Sequence, residues 1–463
     1  MTLAPDTADT ATAITTDAEA RVLPRTARRD RRGFLSLGNV PLPRLALQYG
    51  TPLYLFDDEH LRSGIWRMRR AFSQRMPAPA TTSISYAAKA FLCLAVAQMV
   101  AEEGVGMDVN SGGELHIALK GGVAPARIHL HGNALPTDEL RAAVAAGVGR
   151  VVVDNLPTLH ALDATAGSLG KRQAIWLRLN PSVRAHTHAH ITTGHLDSKF
   201  GVAIETGQAA EAVRAALAAP HLDLVGIHAH IGSGIADSEP YRETTRRLVR
   251  FAAQMRGETG WTAAEISTGG GFAVRYLPDD EIIEPEDAAE AIIGTLVAEC
   301  AAASFPVPHL GIEPGKALVA PAAVALYSVL NVKDVPGARR FVAVDGGMAD
   351  NIRPALYDAK YTVLLGNRVS TAESVVSTVA GRYCESGDLL ARDVPLPADI
   401  AAGDLLVFPA AGAYAIPMSS QYNGVPRPAI ALVREDGTHQ LLRRRETYDD
   451  LLRHDVPLEE AGD

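Results

Sequence analysis

Lys89 sits in the stretch SISYAAKAFL, residues 83–92, after an apolar-alternating run and before an apolar helical pattern. An amine at that junction is either a solvated charge at a strand end or a nucleophile held where chemistry occurs. Gly269, Gly270 and Gly271 are consecutive, and a run without side chains lets backbone N–H groups approach an anion closely. HIGSG, residues 230–234, is a second small-residue loop, with a hydroxyl at Ser233 suited to phosphate oxygens. Glu313 closes an apolar run in EPGK. Each feature has an ordinary reading: a flexible turn for the glycines and for HIGSG, a solvated strand end for Glu313. Taken together, a lysine, a phosphate cradle and an acid suit a phosphorylated aldehyde cofactor, pyridoxal phosphate, held through the lysine. Glu313 would keep the pyridine nitrogen protonated so that the ring takes up electrons.

These residues need elements that bring them to one place. From residue 83 to about 314, eight short strand-like runs alternate with helical ones: SISYAAK, VGMDVN, RIHLHGN, RVVVDN, AIWLRLN, LVGIHAHIG, AEISTGG and LGIEPG. Helical patterns fill most intervals, as in DELRAAVAAGV and EDAAEAIIGTLVAECAAA. Eight such units, with no G-x-G-x-x-G turn after the first strand, favour a (β/α)8 barrel over an open sheet. Catalytic groups of such a barrel come from the C-terminal ends of its strands. Lys89, Asp108 and Asn110, His131 and Asn133, Asn180, His228 and His230, Gly269–Gly271 and Glu313 all fall there.

After about residue 320 the texture changes. VALYSVLNV, RRFVAVDGG, YTVLLGN, ESVVSTVAGRYC, DLLVFPAAGAY and AIALVRED read as strands joined by turns, an all-β barrel or sandwich. TPLYLFD, residues 51–57, is an isolated strand that can join it. The expected division is a disordered tail over 1–35, the α/β barrel over 61–318, a β domain from 36–60 and 319–446, and a C-terminal tail over 447–463. The basic cluster RTARRDRR, residues 25–32, reads as solvated tail.

With 463 residues and ordinary globular composition, the chain has room for two or three domains. A net charge of −9 without a long basic run argues against a nucleic-acid surface. Cys93, Cys300 and Cys384 make neither a disulfide framework nor a metal-ligand spacing, which fits a reducing cytoplasm. Residues 1–30 lack the apolar core of a secretory signal, and no stretch approaches eighteen apolar residues, so a membrane span is not expected.

The ordered motifs YAAKA (86–90), TGHLDSKFG (193–201), HAHIGSG (228–234), TGGGF (268–272), EPGK (313–316), DGGMADNIRPALY (345–357), CESGD (384–388) and GAY (412–414) carry a resemblance. Over roughly residues 45–445 the chain resembles the fold-type III pyridoxal-phosphate decarboxylases of basic amino acids, and within them the branch acting on diaminopimelate. The resemblance implies pyridoxal 5'-phosphate as cofactor, with Lys89 as its Schiff-base lysine. It implies that His230 stacks on the ring, and that Gly271 and the loop Glu313, Gly315, Lys316 hold the phosphate and ring nitrogen. Asp108 and Ser233 join these as cofactor-binding candidates. Arg353 and Tyr357 would grip the substrate's far carboxylate, with Lys316 and Tyr414 nearby. Tyr414 would lie near both cofactor and substrate. Cys384 as proton donor and Glu385 as ligand of the distal amino group would come from the partner subunit of a homodimer. From the residues alone, Arg353 is an arginine in an otherwise apolar β segment, which needs a partner such as a bidentate carboxylate.

Two positions depart from the family pattern. Lys316 stands where the family commonly has arginine, and Asn133 is followed by Ala134 and Leu135 rather than Asn and Lys. The implied activity is decarboxylation of meso-2,6-diaminopimelate to L-lysine and carbon dioxide. The alternatives are another amino acid (ornithine, arginine or a carboxylated polyamine) or a non-catalytic homologue. CESGD speaks against the related racemases, which use a tyrosine as second base.

Overall fold

The structure, a computed structural model, describes residues 16–183 and 198–458. It divides into two units. One takes in Leu61–Arg275 and Asp279–Ala320; the other takes in the chain up to His60, Tyr276–Pro278 and the chain from Pro321 onward.

The first unit is the expected barrel. Its strands are β1 (Thr82–Ala87), β2 (Gly106–Val109), β3 (Ile128–His131), β4 (Arg150–Val153), β5 (Gln173–Asn180), β6 (Leu222–His228), β7 (Glu265–Ser267) and β8 (His309–Ile312). All pair in parallel in sequence order, and the ring closes where Leu310 of β8 meets Thr82 of β1. Val202–Ala203 adds a short parallel strand to β5. Helices follow the strands where apolar residues recur at helical spacing: Leu94–Glu102 after β1, Thr137–Ala146 after β3, Pro285–Ala302 after β7. Trp176 of β5, 2% exposed, fills the interior. Gly311 of β8 makes room for it, since a Cβ there would stand 3.2 Å from the indole. The barrel is thus a packed core whose chemistry must sit at its mouth.

The second unit is built on one mixed sheet. In order it runs Leu389–Pro397, Ser374–Ala380, Arg339–Val344, Ala323–Val335, Leu53–Asp57, Ala429–Val433, His439–Arg443, with Leu405–Pro409 also paired to Ala323–Val335. Most pairs are antiparallel, but Leu53–Asp57 lies parallel to Ala429–Val433, and Arg339–Val344 parallel to Ser374–Ala380.

Several expectations are corrected. Residues 17–35 are not a disordered tail: Asp17–Val22 is a helix capped by Thr16, and Arg28–Arg29, Leu35–Leu37 and Val40–Pro41 form a small sheet. Their order comes from burial, because Leu23, Ala27, Leu35 and Leu37 join Leu53, Leu55, Val324, Leu326 and Val407 in one apolar cluster. In the basic run Arg25, Arg28, Arg31 and Arg32 are exposed as expected, but one arginine is not. Arg29, 6% exposed, donates to the Gly33 and Leu365 carbonyls and pairs with Glu19 at 2.6 Å. Arg353 lies in no β segment; it opens the helical turn Arg353–Tyr357. Part of the expected C-terminal tail is also a turn of helix, Tyr448–Leu451, capped by Thr447. Among the described residues no helix is long and apolar enough to cross a membrane.

Candidate active site

Glu313 follows β8 and is buried, yet both of its oxygens are engaged. Ser267, at the end of β7, stands 2.6 Å from Oε1, and His228, at the end of β6, stands 3.0 Å from Oε2. The hydrogens can be assigned. Gly269 N–H donates to Ser267 Oγ at 3.1 Å, so the hydroxyl proton is directed at Glu313. Burial pushes His228 down, which leaves a neutral ring whose Nε2–H points at the carboxylate. Burial by itself would favour a protonated Glu313. The hydrogen bonds from His228 and Ser267, with His131 nearby, outweigh it and hold the carboxyl well below the usual range. A charged acid therefore sits at the mouth.

Lys89 lies in the tight turn Ala88–Ala90 after β1. Its side chain is accessible, but protein closes round it enough that lost hydration pulls its pKa down. Arg178 adds to the effect, while Glu313 and Asp108 oppose it. The Lys89 turn is tied to the acid's loop by Ala87 N–H donating to Pro314 O at 3.1 Å, and Gly315 packs on Ala87.

The glycine run does two jobs. Gly269 orients Ser267, and Gly270 N–H donates to His230 Nδ1 at 3.2 Å. Burial, with Lys89 and Arg178, holds His230 well below its usual pKa, so a flat neutral ring is presented. Gly271 does the other job. Its φ is +91°, and a Cβ would collide with Gly232 O. Its carbonyl accepts from Gly234 N–H at 2.8 Å and Ile235 N–H at 3.0 Å, lacing the Ser233 loop to the glycine loop. The result is a narrow, side-chain-free cradle of the kind a phosphate enters.

Below the mouth, His129 Nδ1 lies 3.1 Å from Asp108 Oδ1, and the His131 ring meets the His228 ring edge-on at 5.2 Å. Asp108 Oδ2 and His131 Nε2 are buried without a hydrogen-bond partner among the described residues. Such atoms call for a polar ligand. An amine for an aldehyde, a cradle for a phosphate, a charged acid for a ring nitrogen and a neutral imidazole for a ring face are together the requirements of pyridoxal phosphate.

In the β unit, Arg353 is 8% exposed. Its guanidinium lies over the Tyr276 ring, 4.6 Å from the centroid, and donates to Tyr361 Oη. No carboxylate among the described residues pairs with it. Cys384 and Glu385 stand exposed in a loop between strands, where Cys384 N–H donates to Asn423 Oδ1 and Tyr422 Oη donates to Glu385.

The family model "Pyridoxal-dependent decarboxylase, pyridoxal binding domain" matches residues 62–320. The chain is 45% identical over 446 residues to the diaminopimelate decarboxylase of Mycobacterium tuberculosis, covering 94% of this chain and 98% of that one. It is 40% identical over 432 residues to the diaminopimelate decarboxylase of Bacillus subtilis, covering 93% and 97%. A crystal structure of diaminopimelate decarboxylase from M. jannaschii in complex with L-lysine superposes with a TM-score of 0.87 at 33% identity, covering 94% and 98%.

The chain belongs to the pyridoxal-dependent decarboxylases.

In this decarboxylase the barrel brings Lys89, Asp108, His230, Ser233, Gly271, Glu313, Gly315 and Lys316 to one end. Asn110 is turned to a local role, its backbone N–H donating to Glu114 at 2.6 Å. Asn180 Oδ1 likewise accepts from Ser182 N–H at 2.9 Å. In the β unit Arg353 and Tyr414 both act electrostatically on Tyr276, and Tyr357 ends the helical turn that Arg353 begins. Residues 193–197 of the TGHLDSKFG motif lie outside the described residues. Sequence reasoning missed Ser267 and Arg178. Arg178 is a charge inside the apolar run AIWLRLN, and that break in pattern was the available signal. Ser267, one small hydroxyl beside a glycine run, gave none.

Proposed function

We propose that this chain removes one carboxylate of meso-2,6-diaminopimelate, yielding L-lysine and carbon dioxide. The observation that carries the substrate is Arg353: a buried guanidinium between two tyrosines, with no carboxylate among the described residues paired to it, suits a carboxylate brought by a ligand. The names of the relatives agree with it. When bound, pyridoxal phosphate supplies a ring into which the electron pair left by carbon dioxide spreads.

The chain's own residues do the rest. Lys89, its pKa lowered by burial, offers an amine for the cofactor's aldehyde. Glu313 keeps a negative charge for the ring nitrogen, and the flat neutral His230 takes the ring face. Gly271 and the Ser233 loop take the phosphate. Arg353 and Tyr357 hold the far carboxylate, which sets the scissile one in position. Cys384 Sγ–H delivers the proton that replaces carbon dioxide, and Glu385 holds the distal amino group. Both are exposed, consistent with a homodimer in which this loop of one copy serves the barrel of the other. Three free cysteines fit a cytoplasmic enzyme.

The test is L-lysine and carbon dioxide release from meso-diaminopimelate, with ornithine in parallel. Wild type should turn over diaminopimelate and not ornithine. Arg353→Lys should raise KM for diaminopimelate about 10–100-fold, as expected for losing a charge-assisted bidentate contact, with cofactor retention unchanged. Equal turnover of ornithine would overturn the substrate assignment.

A further inference from the structure

Glu313 is held from two strands by two different donors, and the two are not equivalent. Ser267 belongs to the backbone turn that shapes the glycine loop. His228 belongs to nothing else: its Nδ1 is buried without a hydrogen-bond partner among the described residues, and its Nε2 meets only Glu313. Trp176 lies parallel to its ring at 6.4 Å, and His131 meets it edge-on. A proton on Nδ1 would be buried with no acceptor, so the ring is confined to the neutral Nε2–H tautomer. That tautomer can only donate to Glu313. We infer that His228 is a positioning residue for the cofactor's ring, fixing Glu313 as a charged acceptor for the ring nitrogen through one neutral N–H donor.

This deepens the functional reading above and rests on it. The other ionisable groups that act on Glu313 are His131 from β3, Arg178 from β5, Lys89 after β1 and His230 after β6. Arg178 and Lys89 bring charge of the sign that favours a carboxylate. What they do not supply is a directed hydrogen bond to Oε2, and His228 does.

The experiment reconstitutes wild type, His228→Gln and His228→Leu with pyridoxal phosphate. It reads cofactor affinity by equilibrium dialysis and the visible absorption band against pH, with circular dichroism as the check on folding. Glutamine keeps an N–H in reach of Glu313; leucine keeps bulk and removes the donor. In wild type and His228→Gln the band should hold constant across neutral pH. In His228→Leu the band should titrate there, and affinity should fall roughly 10–100-fold, as for a lost hydrogen bond to a charged group. If leucine does not fold, His228→Asn, too short to span the gap, takes its place with the same expectation. A folded leucine or asparagine variant with wild-type affinity and a constant band would overturn the assignment. A glutamine variant behaving like leucine would overturn it too. A wild type that binds no pyridoxal phosphate would overturn the reading beneath it, which the other two outcomes leave standing.

Discussion

Glu313 meets Ser267 and His228 through one oxygen each, and its charge survives burial because both donors are fixed before any ligand arrives. Glu313→Gln keeps the shape but brings an amide N–H face to face with a donor. Turnover should fall roughly 10²–10⁴-fold, in the range for losing an acid–base group, with the phosphate cradle still able to bind. Stability follows the same charge. A carboxyl held below its unfolded value contributes stability that is present above that value, near 4.3, and lost as pH falls through the folded one. Acid titration followed by circular dichroism should show wild type losing stability below about pH 4, and Glu313→Gln losing less of it. Lys89 and Glu313 could be read in advance because an amine, a glycine cradle and an acid converge on the strand ends of one barrel and suit one cofactor, whereas the role of His230 came from the family resemblance. Ser267 could not, since a serine is ordinary at a strand end and its role depends on Gly269 N–H fixing its proton. Arg178 lay between the two cases: its charge was visible, and its orientation over Phe200, 4.5 Å from the ring centroid, was not.

Among the elements, the loop from Asp345 to Arg353 depends on buried carboxylates. Asp388 accepts from Met348 N–H at 2.6 Å and Tyr383 N–H at 2.7 Å, joining the segment that leads to Arg353 with the segment that carries Cys384. Asp350, 2% exposed, accepts from Tyr327 Oη at 2.6 Å and Gly347 N–H at 2.8 Å. Burial, with Asp345 and Asp388 nearby, pushes it up to about 7, against the pull of those hydrogen bonds. A carboxyl raised above its unfolded value near 3.9 favours the fold fully below that value, and the benefit is lost as pH rises toward 7. Asp350→Asn should therefore flatten the stability profile between about pH 4 and 7 and raise the melting temperature at pH 8, by a differential of a few kcal/mol. A second test concerns the segment before residue 38. Leu35 is fully buried in the β unit, so Leu35→Ala should cost about 2–5 kcal/mol in denaturant unfolding, whereas removal of a disordered tail residue would cost nothing. This segment was illegible because its strands are two or three residues long and its arginines dominate the composition. The barrel strands were legible because each is a local apolar run followed by a helical period. The strands Leu389–Pro397 and His439–Arg443, rich in exposed positions, carry no such run.

At the scale of the whole molecule, the proposed homodimer makes a quantitative prediction. Lys89→Ala and Cys384→Ala should each be inactive as pure homodimers. If the cysteine loop serves the partner's barrel, mixed dimers carry one intact site, and an equal mixture should recover about a quarter of wild-type turnover. No recovery after subunit exchange, checked by native mass spectrometry, would place both residues in one chain's site. The division of labour between units also shapes how the chain is made. Leu53–Asp57 is fully buried in the β sheet between Ala323–Val335 and Ala429–Val433, strands encoded hundreds of residues later. The barrel, by contrast, draws all eight of its strands from one continuous stretch. At ribosomal speeds of about 5–20 residues per second, the apolar strand LYLFD waits tens of seconds for its neighbours. During synthesis the barrel can close while that strand remains an unpaired sticky edge, so a nascent chain stalled before residue 320 should recruit chaperones at its N-terminal segment rather than at the barrel.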